Sequence, residues 1–350
     1  TLDNHGNRYT AKQRNTVKID INNPSKIGDK LSITKTFNTG EKFDFSQFDY
    51  EVPLGQSGLK AFASASRLEF EIWKELKTNP VSLGNSDTYE VGIKYPIQRT
   101  NNQSVFLKTS IEKKEIYNET TGVLTNDKTL ENAKIGFDFE GKNIFQDSSL
   151  TGVSVSGIFG DLDLSKVNSD YLNDQRANGP KTHGDFNKVV LDFYHIHKFT
   201  DKINFKYYGS LQQASKNLDS SEKFSLGGIS GVRAYPSGEA SGDEGHKLSF
   251  EVQYDLSRPD MDFDLIGTLF YDYGKIRQYK DSSNITLTTP NEYSLSGWGV
   301  SFDLIANERV KLNLGWAQAI GDNDGQSASG NNSDGRGGSS RAWFQFVFRF

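Results

Sequence analysis

The sequence contains no cysteine, and this absence narrows the chemistry that the chain can support. A disulfide framework and a cysteine-ligated metal site are both excluded. A chain without cysteine also suits passage through an oxidising compartment such as the periplasm. Proline and methionine are scarce, at 8 and 1 residues, whereas 24 Phe and 15 Tyr help to bring the aromatic fraction to 12%. Aromatic side chains suit a pleated surface, so this composition favours strands over helices.

Long apolar runs are missing as well. Mean hydropathy is −0.62, and no apolar run approaches the roughly 18 residues that a transmembrane helix needs. A membrane barrel is still possible, because strands that alternate apolar and polar residues average to a hydrophilic sequence. The 40 basic and 45 acidic residues are well mixed, and without a basic stripe we expect no nucleic-acid partner. No signal peptide opens the sequence, so we expect a processed or excised chain if the protein is exported.

The dominant pattern is an alternation of apolar and polar residues over segments of about ten residues. In one such segment Tyr89, Val91 and Ile93 alternate with Glu90 and Gly92. The pattern predicts strands near residues 10–23, 30–39, 47–54, 58–70, 87–96, 103–115, 131–141, 149–160, 185–198, 202–214, 246–257, 262–275, 294–305, 309–319 and 341–350.

Short and long connections alternate between these strands. The long ones cover residues 71–86, 116–130, 161–184, 215–245, 276–293 and 321–340. Outer-membrane barrels have this asymmetry, with short periplasmic turns and long exterior loops. The alternative is a soluble β-sandwich, whose strands are usually shorter and do not need such extensive aromatic faces. We therefore predict an all-β fold in which residues 1–350 form one transmembrane antiparallel β-barrel of about sixteen strands.

Motifs for catalysis or for cofactor binding are not evident. His195 and His197 share one face of a predicted strand, but a zinc site needs three or four ligands, so a polar position near the barrel rim is the preferred interpretation. Neither a nucleophile elbow nor a phosphate-binding loop is present. Glu239, Asp243 and Glu244 do not follow the spacing of a calcium-binding loop. We expect no enzyme activity, no cofactor and no metal.

A stretch rich in glycine, Gly227–Gly245, surrounds a single arginine, Arg233. The simplest interpretation is a solvated side chain in a polar loop. A barrel of about sixteen strands encloses a water-filled lumen, however, and a loop as long as residues 215–245 can fold into it. By strand parity Asp272 and Phe270 point inward, so they offer a carboxylate and an aromatic ring to an arginine. The residues alone leave this pairing as one possibility.

Four segments resemble the two-partner secretion transporters (TpsB family, haemolysin-activator and filamentous-haemagglutinin-transporter type), which are relatives of the barrel-assembly insertases. V-R-A-Y at 232–235, preceded by S-L-G-G at 225–228, resembles their lumen-entering loop, and F-Y-D-Y-G at 270–274 resembles their F-x-D-x-G strand motif. L-D-N-H-G at 2–6 resembles the segment that opens their barrel. The final F-V-F-R-F resembles an aromatic-ended insertion signal, here Phe348 and Phe350.

The resemblance implies a sixteen-stranded barrel whose first strand survives as Thr1–Asn4 and whose sixth exterior loop enters the pore. There Arg233 would contact Asp272 on the thirteenth strand. The site residues that it implies are the loop motif and the strand motif, namely Gly231, Val232, Arg233, Ala234 and Tyr235 with Phe270, Asp272 and Gly274.

The chain departs from the family pattern in three respects. Ala234 stands where the family usually has glycine, and since alanine avoids positive φ we expect a right-handed or β conformation there. The periplasmic substrate-recruiting (POTRA) domains and the amino-terminal plug helix are absent from this sequence. We therefore expect an excised barrel or an incomplete chain, which would insert and hold its shape but would not recognise its cargo.

The resemblance implies an outer-membrane pore that passes an unfolded exoprotein (TpsA-type) from the periplasm to the cell surface without ATP. The other expected partners are outer-membrane lipid and, during biogenesis, the barrel-assembly machinery, and we expect a monomer. Two alternatives remain, a barrel-assembly insertase and a passive porin. The polar lumen face would keep the cargo solvated and consists of Lys134, Asp138, Glu140, Glu251, Gln253, Asp255, Asp303 and Arg349.

Overall fold

A computed structural model describes residues 1–40, 42–77 and 81–350. Sixteen antiparallel strands close into a barrel, as the sequence predicts. In chain order they are β1 (Leu2–Asp3), β2 (Arg14–Asn22), β3 (Lys30–Phe37), β4 (Phe43–Pro53), β5 (Lys60–Glu71), β6 (Leu83–Arg99), β7 (Gln103–Thr120), β8 (Val123–Lys142), β9 (Ser149–Asp163), β10 (Gly184–Lys198), β11 (Ile203–Ala214), β14 (Glu244–Asp255), β15 (Phe263–Arg277), β16 (Glu292–Ala306), β17 (Val310–Ile320) and β18 (Ser340–Phe348).

Two further strands, β12 (Phe224–Ser225) and β13 (Ser241–Gly242), pair with each other inside the connection between β11 and β14. A helix, α1 (Asn168–Gln175), lies in the connection between β9 and β10. β1 pairs with both β2 and β18 and so closes the ring. Among the described residues, helices long and apolar enough to cross a membrane are not found.

The alternation of the sequence accounts for the wall of the barrel. On β6, Tyr89, Val91 and Ile93 are exposed on the outer face. On the inner face, Lys134 of β8 donates to Glu112 of β7 at 2.6 Å. An apolar outer face against lipid and a polar inner face against water is the arrangement that keeps a membrane barrel stable.

Most of the predicted strands are confirmed, but one predicted loop is wrong. Residues 116–130 are not a long connection: β7 and β8 continue through this segment and join at Thr121 and Gly122. Both turn residues have positive φ, 53° and 77°, which suits a tight hairpin. β6 likewise begins at Leu83, inside the predicted loop 71–86, part of which (78–80) lies outside the described residues. The last strand ends at Phe348, so Arg349 lies beyond it.

Two apolar clusters interrupt the polar lumen. The first surrounds the connection between β11 and β14 and includes Leu226, Val232, Ala234, Phe270 and Leu295. The second lies at the exterior end of β8 to β11 and consists of Leu130, Leu162, Leu164, Phe186, Ala214 and Leu218. Part of the lumen is therefore filled with packed side chains.

Candidate functional site in the lumen

The connection between β11 and β14, residues 215–243, forms a compact structure inside the barrel, and we call it the lumen loop. Its two limbs are held together by backbone hydrogen bonds from Leu226 N to Ala240 O (3.0 Å) and from Val232 N to Leu226 O (2.7 Å). Glycine is needed at Gly231, because a Cβ there would lie 1.9 Å from Leu226 O. The loop is the sixth exterior connection along the chain.

Arg233 lies at the inner turn of this loop and contacts Asp272 on β15, the thirteenth strand of the barrel. Its Nε donates to Oδ2 at 2.8 Å and its Nη2 donates to Oδ1 at 2.7 Å. The Arg233 backbone N–H also donates to Oδ2, at 3.0 Å. Asp272 is only 1% exposed. A bidentate pair that is buried to this degree fixes both distance and orientation.

Three other side chains complete the surroundings of the guanidinium group. Nη1 donates to Glu251 of β14 at 2.6 Å, and Nη2 donates to Ser249 at 2.8 Å. The ring of Phe270 lies under the guanidinium carbon, with its centroid 3.4 Å away. Two carboxylates and an aromatic face therefore replace the water that a buried arginine loses.

The neighbours of Arg233 in the motif pack into the first apolar cluster. Val232 and Ala234 are fully buried and Tyr235 is 2% exposed. Burial raises the pKa of the Tyr235 phenol to about 12. Ala234 has a negative φ, as expected for alanine. Gly274 completes the strand motif, because a Cβ at this position would lie 2.6 Å from the Leu226 side chain.

The family described as "Haemolysin secretion/activation protein ShlB/FhaC/HecB" matches residues 1–304. The chain belongs to this family. Among curated relatives, it is similar to the heme/hemopexin transporter protein HuxB of Haemophilus influenzae strain 86-028NP, with 27% identity over 92% of the chain and 56% of the relative. It is also similar to the outer membrane transporter CdiB of Dickeya dadantii, with 25% identity over 70% of the chain and 43% of the relative.

Two solved structures share the fold. CdiB from Escherichia coli superposes with a TM-score of 0.77 at 16% identity, covering 99% of the chain and 61% of that structure. BamA from Haemophilus ducreyi lacking POTRA domains 1–3 gives a TM-score of 0.63 at 10% identity, covering 97% and 68%. The chain spans about half the length of the curated relatives that it matches, at 56% for HuxB. Together, the family and the barrel place the chain in the outer membrane.

The family motif does not mark every residue that holds the lumen loop. Trp343 of β18 donates from its indole nitrogen to Arg233 O at 2.7 Å. On β16, Gly297 and Gly299 leave space for the loop and for Phe270: a Cβ would lie 2.7 Å from Ala234 Cβ at the first and 2.4 Å from the Phe270 ring at the second. In the sequence, the sign of this space is a set of small residues that alternate along two neighbouring strands, because Ala317 and Ala319 of β17 pair with these glycines.

The histidine and acidic residues considered as metal ligands in the sequence do not form a common site in the part of the chain that the structure describes. Within the described residues, groups of three or more His, Asp and Glu side chains that could hold a metal ion are not found. The Nδ1 atom of His195 lies 2.9 Å from the hydroxyl oxygen of Thr151. The three acidic residues of the calcium interpretation have separate protein partners: Glu239 binds Asn323, Asp243 binds Lys223, and Glu244 binds Lys280.

The two aromatic residues at the carboxy terminus lie apart from the loop. Phe348 is 52% exposed and Phe350 is 95% exposed. Their rings contact each other, with centroids 6.2 Å apart. Little of the folded structure therefore depends on Phe350, and its role in insertion stays a prediction.

Proposed function

We propose that this chain forms the outer-membrane pore of a two-partner secretion system, which passes an unfolded exoprotein from the periplasm to the cell surface. The observation that carries the proposal is a wide polar barrel in which one long loop is tied to the wall by a buried ion pair. Curated relatives of the chain are named transporters. The Arg233–Asp272 contact anchors the loop, and the motif residues around it fill the space between loop and wall.

Space for an extended polypeptide lies beside the loop. A cavity of about 590 Å³ lies between the loop at Ser230 and the barrel wall, where its lining includes Lys94, Asp138, Glu140 and Asp192. Charges of both signs keep a moving chain solvated without binding it tightly. The exoprotein, outer-membrane lipid and the barrel-assembly machinery are the proposed partners of a monomeric barrel, with Phe348 and Phe350 as the insertion signal.

The test is secretion by the full-length protein, co-expressed with a large exoprotein that has an amino-terminal secretion domain and is sought in the neighbouring reading frames. Arg233→Ala should reduce the exoprotein in the medium while the amount of folded barrel stays the same. The charge swap of Arg233→Asp with Asp272→Arg should restore part of the secretion. Normal secretion by Arg233→Ala would contradict the proposed role of the Arg233–Asp272 contact.

The same strains distinguish the two alternative functions. An insertase predicts that loss of the protein lowers the level of other folded barrels in the outer membrane. A passive porin predicts a large, steady conductance of the full-length protein in a planar bilayer. Exoprotein release that depends on the protein, without either of these effects, supports secretion.

A further inference from the structure

The first limb of the lumen loop makes a second set of contacts, far from Arg233. Its short 3-10 turn, Ser220–Glu222, lies against the inner faces of β7, β8 and β10. Glu222 accepts from Lys114 at 2.7 Å and from Lys188 at 2.8 Å. Just before the turn, Asp219 accepts from Lys128 at 2.7 Å. Three lysines from three strands therefore converge on two carboxylates of the loop.

These ion pairs are buried, unlike most ion pairs of the barrel rim. The side chain of Lys188 is 8% exposed and that of Glu222 is 5% exposed. Lysine is almost never buried to this extent unless it is paired. Burial disfavours the charged form of Asp219, but Lys128 and the Ser221 donors still hold the pKa of its carboxyl below the ordinary value. The carboxylates of Asp219 and Glu222 are therefore both paired with lysines of the barrel wall.

The same segment also closes the second apolar cluster. Leu218, which directly precedes Asp219, is 2% exposed and packs with Leu130, Leu162, Phe186 and Ala214. Those residues lie at the exterior ends of β8 to β11. The ion pairs and the apolar cluster together hold the first limb across the outer mouth of the barrel.

We propose that Asp219 and Glu222, with Lys114, Lys128 and Lys188, form a second anchor that positions the lumen loop and closes the outer mouth of the barrel on the side of β7 to β10. The two anchors have opposite polarity. A basic loop residue meets an acidic wall at Arg233, whereas acidic loop residues meet a basic wall here. Release of the second anchor opens the outer mouth while the Arg233 contact stays in place. Lys114, Lys128 and Lys188 act as positioning residues.

The test uses the absence of cysteine from the chain. Ala214→Cys places a single thiol in the apolar cluster, where a membrane-impermeant maleimide added to whole cells reports whether the outer mouth is open. Labelling should be slow with the second anchor intact. It should be at least about tenfold faster when Glu222→Gln leaves Lys114 and Lys188 without their charge partner.

Lys113 provides a matched control within the same strand. It is the neighbour of Lys114 but points to the outer face, where it pairs with Glu115 at 2.9 Å and is 49% exposed. Lys114→Met should accelerate labelling, and Lys113→Met should leave its rate unchanged. Asp219→Lys should also accelerate labelling, and adding Lys128→Asp, which exchanges the charges of this one-to-one pair, should return labelling toward the slow rate, which a loss of packing alone would not do.

Hydrogen exchange of residues 224–242 separates a positioning role from general loosening. In folded Glu222→Gln barrels, exchange in this segment should stay slow, because Arg233 and Asp272 are untouched. Unchanged thiol labelling in folded Glu222→Gln barrels, or equal acceleration of exchange around Arg233, would overturn the proposal. The exoprotein takes no part in either assay, so these results are independent of the secretion experiment.

Discussion

Asp272→Asn is the sharpest perturbation of the contact between loop and wall. Asp272 accepts four hydrogen bonds, three from Arg233 and one from Ser249 Oγ at 2.5 Å. Asparagine keeps the shape of the side chain but has only one acceptor oxygen, and its NH₂ group then faces donors. Arg233, whose side chain is 9% exposed, retains its full charge.

The expected cost follows from the contacts that remain. Removing one partner of a buried ion pair costs about 3 to 5 kcal/mol. Arg233 still has Glu251 at 2.6 Å and the Phe270 ring, so we take the lower end, about 3 kcal/mol. At 1.36 kcal/mol per tenfold, the undocked loop becomes about a hundredfold more populated. Glu251→Gln makes neutral the acceptor of one guanidinium hydrogen bond, so it should raise the population of the undocked loop only about tenfold.

Hydrogen exchange of residues 224–242, measured by mass spectrometry on the refolded barrel, reports this population directly. Asp264→Asn is the control, because Asp264 lies on the same strand with an exposed side chain. The barrel strands should exchange equally slowly in all variants. Exchange of the loop within about twofold of the unsubstituted protein in Asp272→Asn would refute the argument that this ion pair fixes the loop.

Three further predictions concern other contacts of the same structure. Gly297→Ala should lower the free energy of unfolding by about 1 to 3 kcal/mol, and Ala234→Gly in the same chain should recover most of it, as denaturant titrations of the single and double variants will check. Phe350→Ala should leave that free energy within about 0.5 kcal/mol, because the side chain is 95% exposed, yet lower the yield of barrel assembled in cells. The pKa of Asp219 is lowered in the folded state, so its ion pair with Lys128 persists above the ordinary aspartate value and is lost as pH falls through the lowered one. Thiol labelling of Ala214→Cys, divided by the rate for a freely exposed thiol at the same pH because maleimide reacts with the thiolate, should therefore be constant from neutral to weakly acidic pH and rise only in strong acid.

The sequence predicts the barrel well wherever a strand separates lipid from water. On β15, Leu269 and Tyr271 are exposed while Phe270 and Asp272 are buried, which is the order that parity predicts. The prediction failed for residues 116–130 because β7 and β8 extend beyond the apolar band there. Lys113 and Glu115 on the outer face are as polar as Lys114 on the inner face. Alternation of apolar and polar residues disappears when polar side chains occupy both faces of a strand, although the backbone ladder continues.

For the site, strand parity predicts which side chains point into the lumen, but it does not predict which residues they contact there. It turns Asp272 inward, but it contains no information on which inward residue of β14 lies beside it. That is decided by register, which pairs Ser249 with Asp272 and Glu251 with Phe270. Trp343 reaches Arg233 because β18 lies three strands from β15 on the curved inner face of the barrel. Such neighbours depend on the assembled ring and have no local sequence signal.

The departure at Ala234 shows how close packing constrains two distant positions together. Its methyl group lies where a Cβ on Gly297 would be 2.7 Å away, so the extra atom on the loop is accepted because the wall has none.

Polarity constrains the loop in the same pairwise way: Arg233 meets Asp272 and Glu251, whereas Glu222 meets Lys114 and Lys188. A loop docked in the reverse orientation would place like charges in contact at both ends, in surroundings where buried unpaired charge costs several kcal/mol. The sign of each anchor, and not only its strength, therefore selects a single orientation of the loop in the lumen.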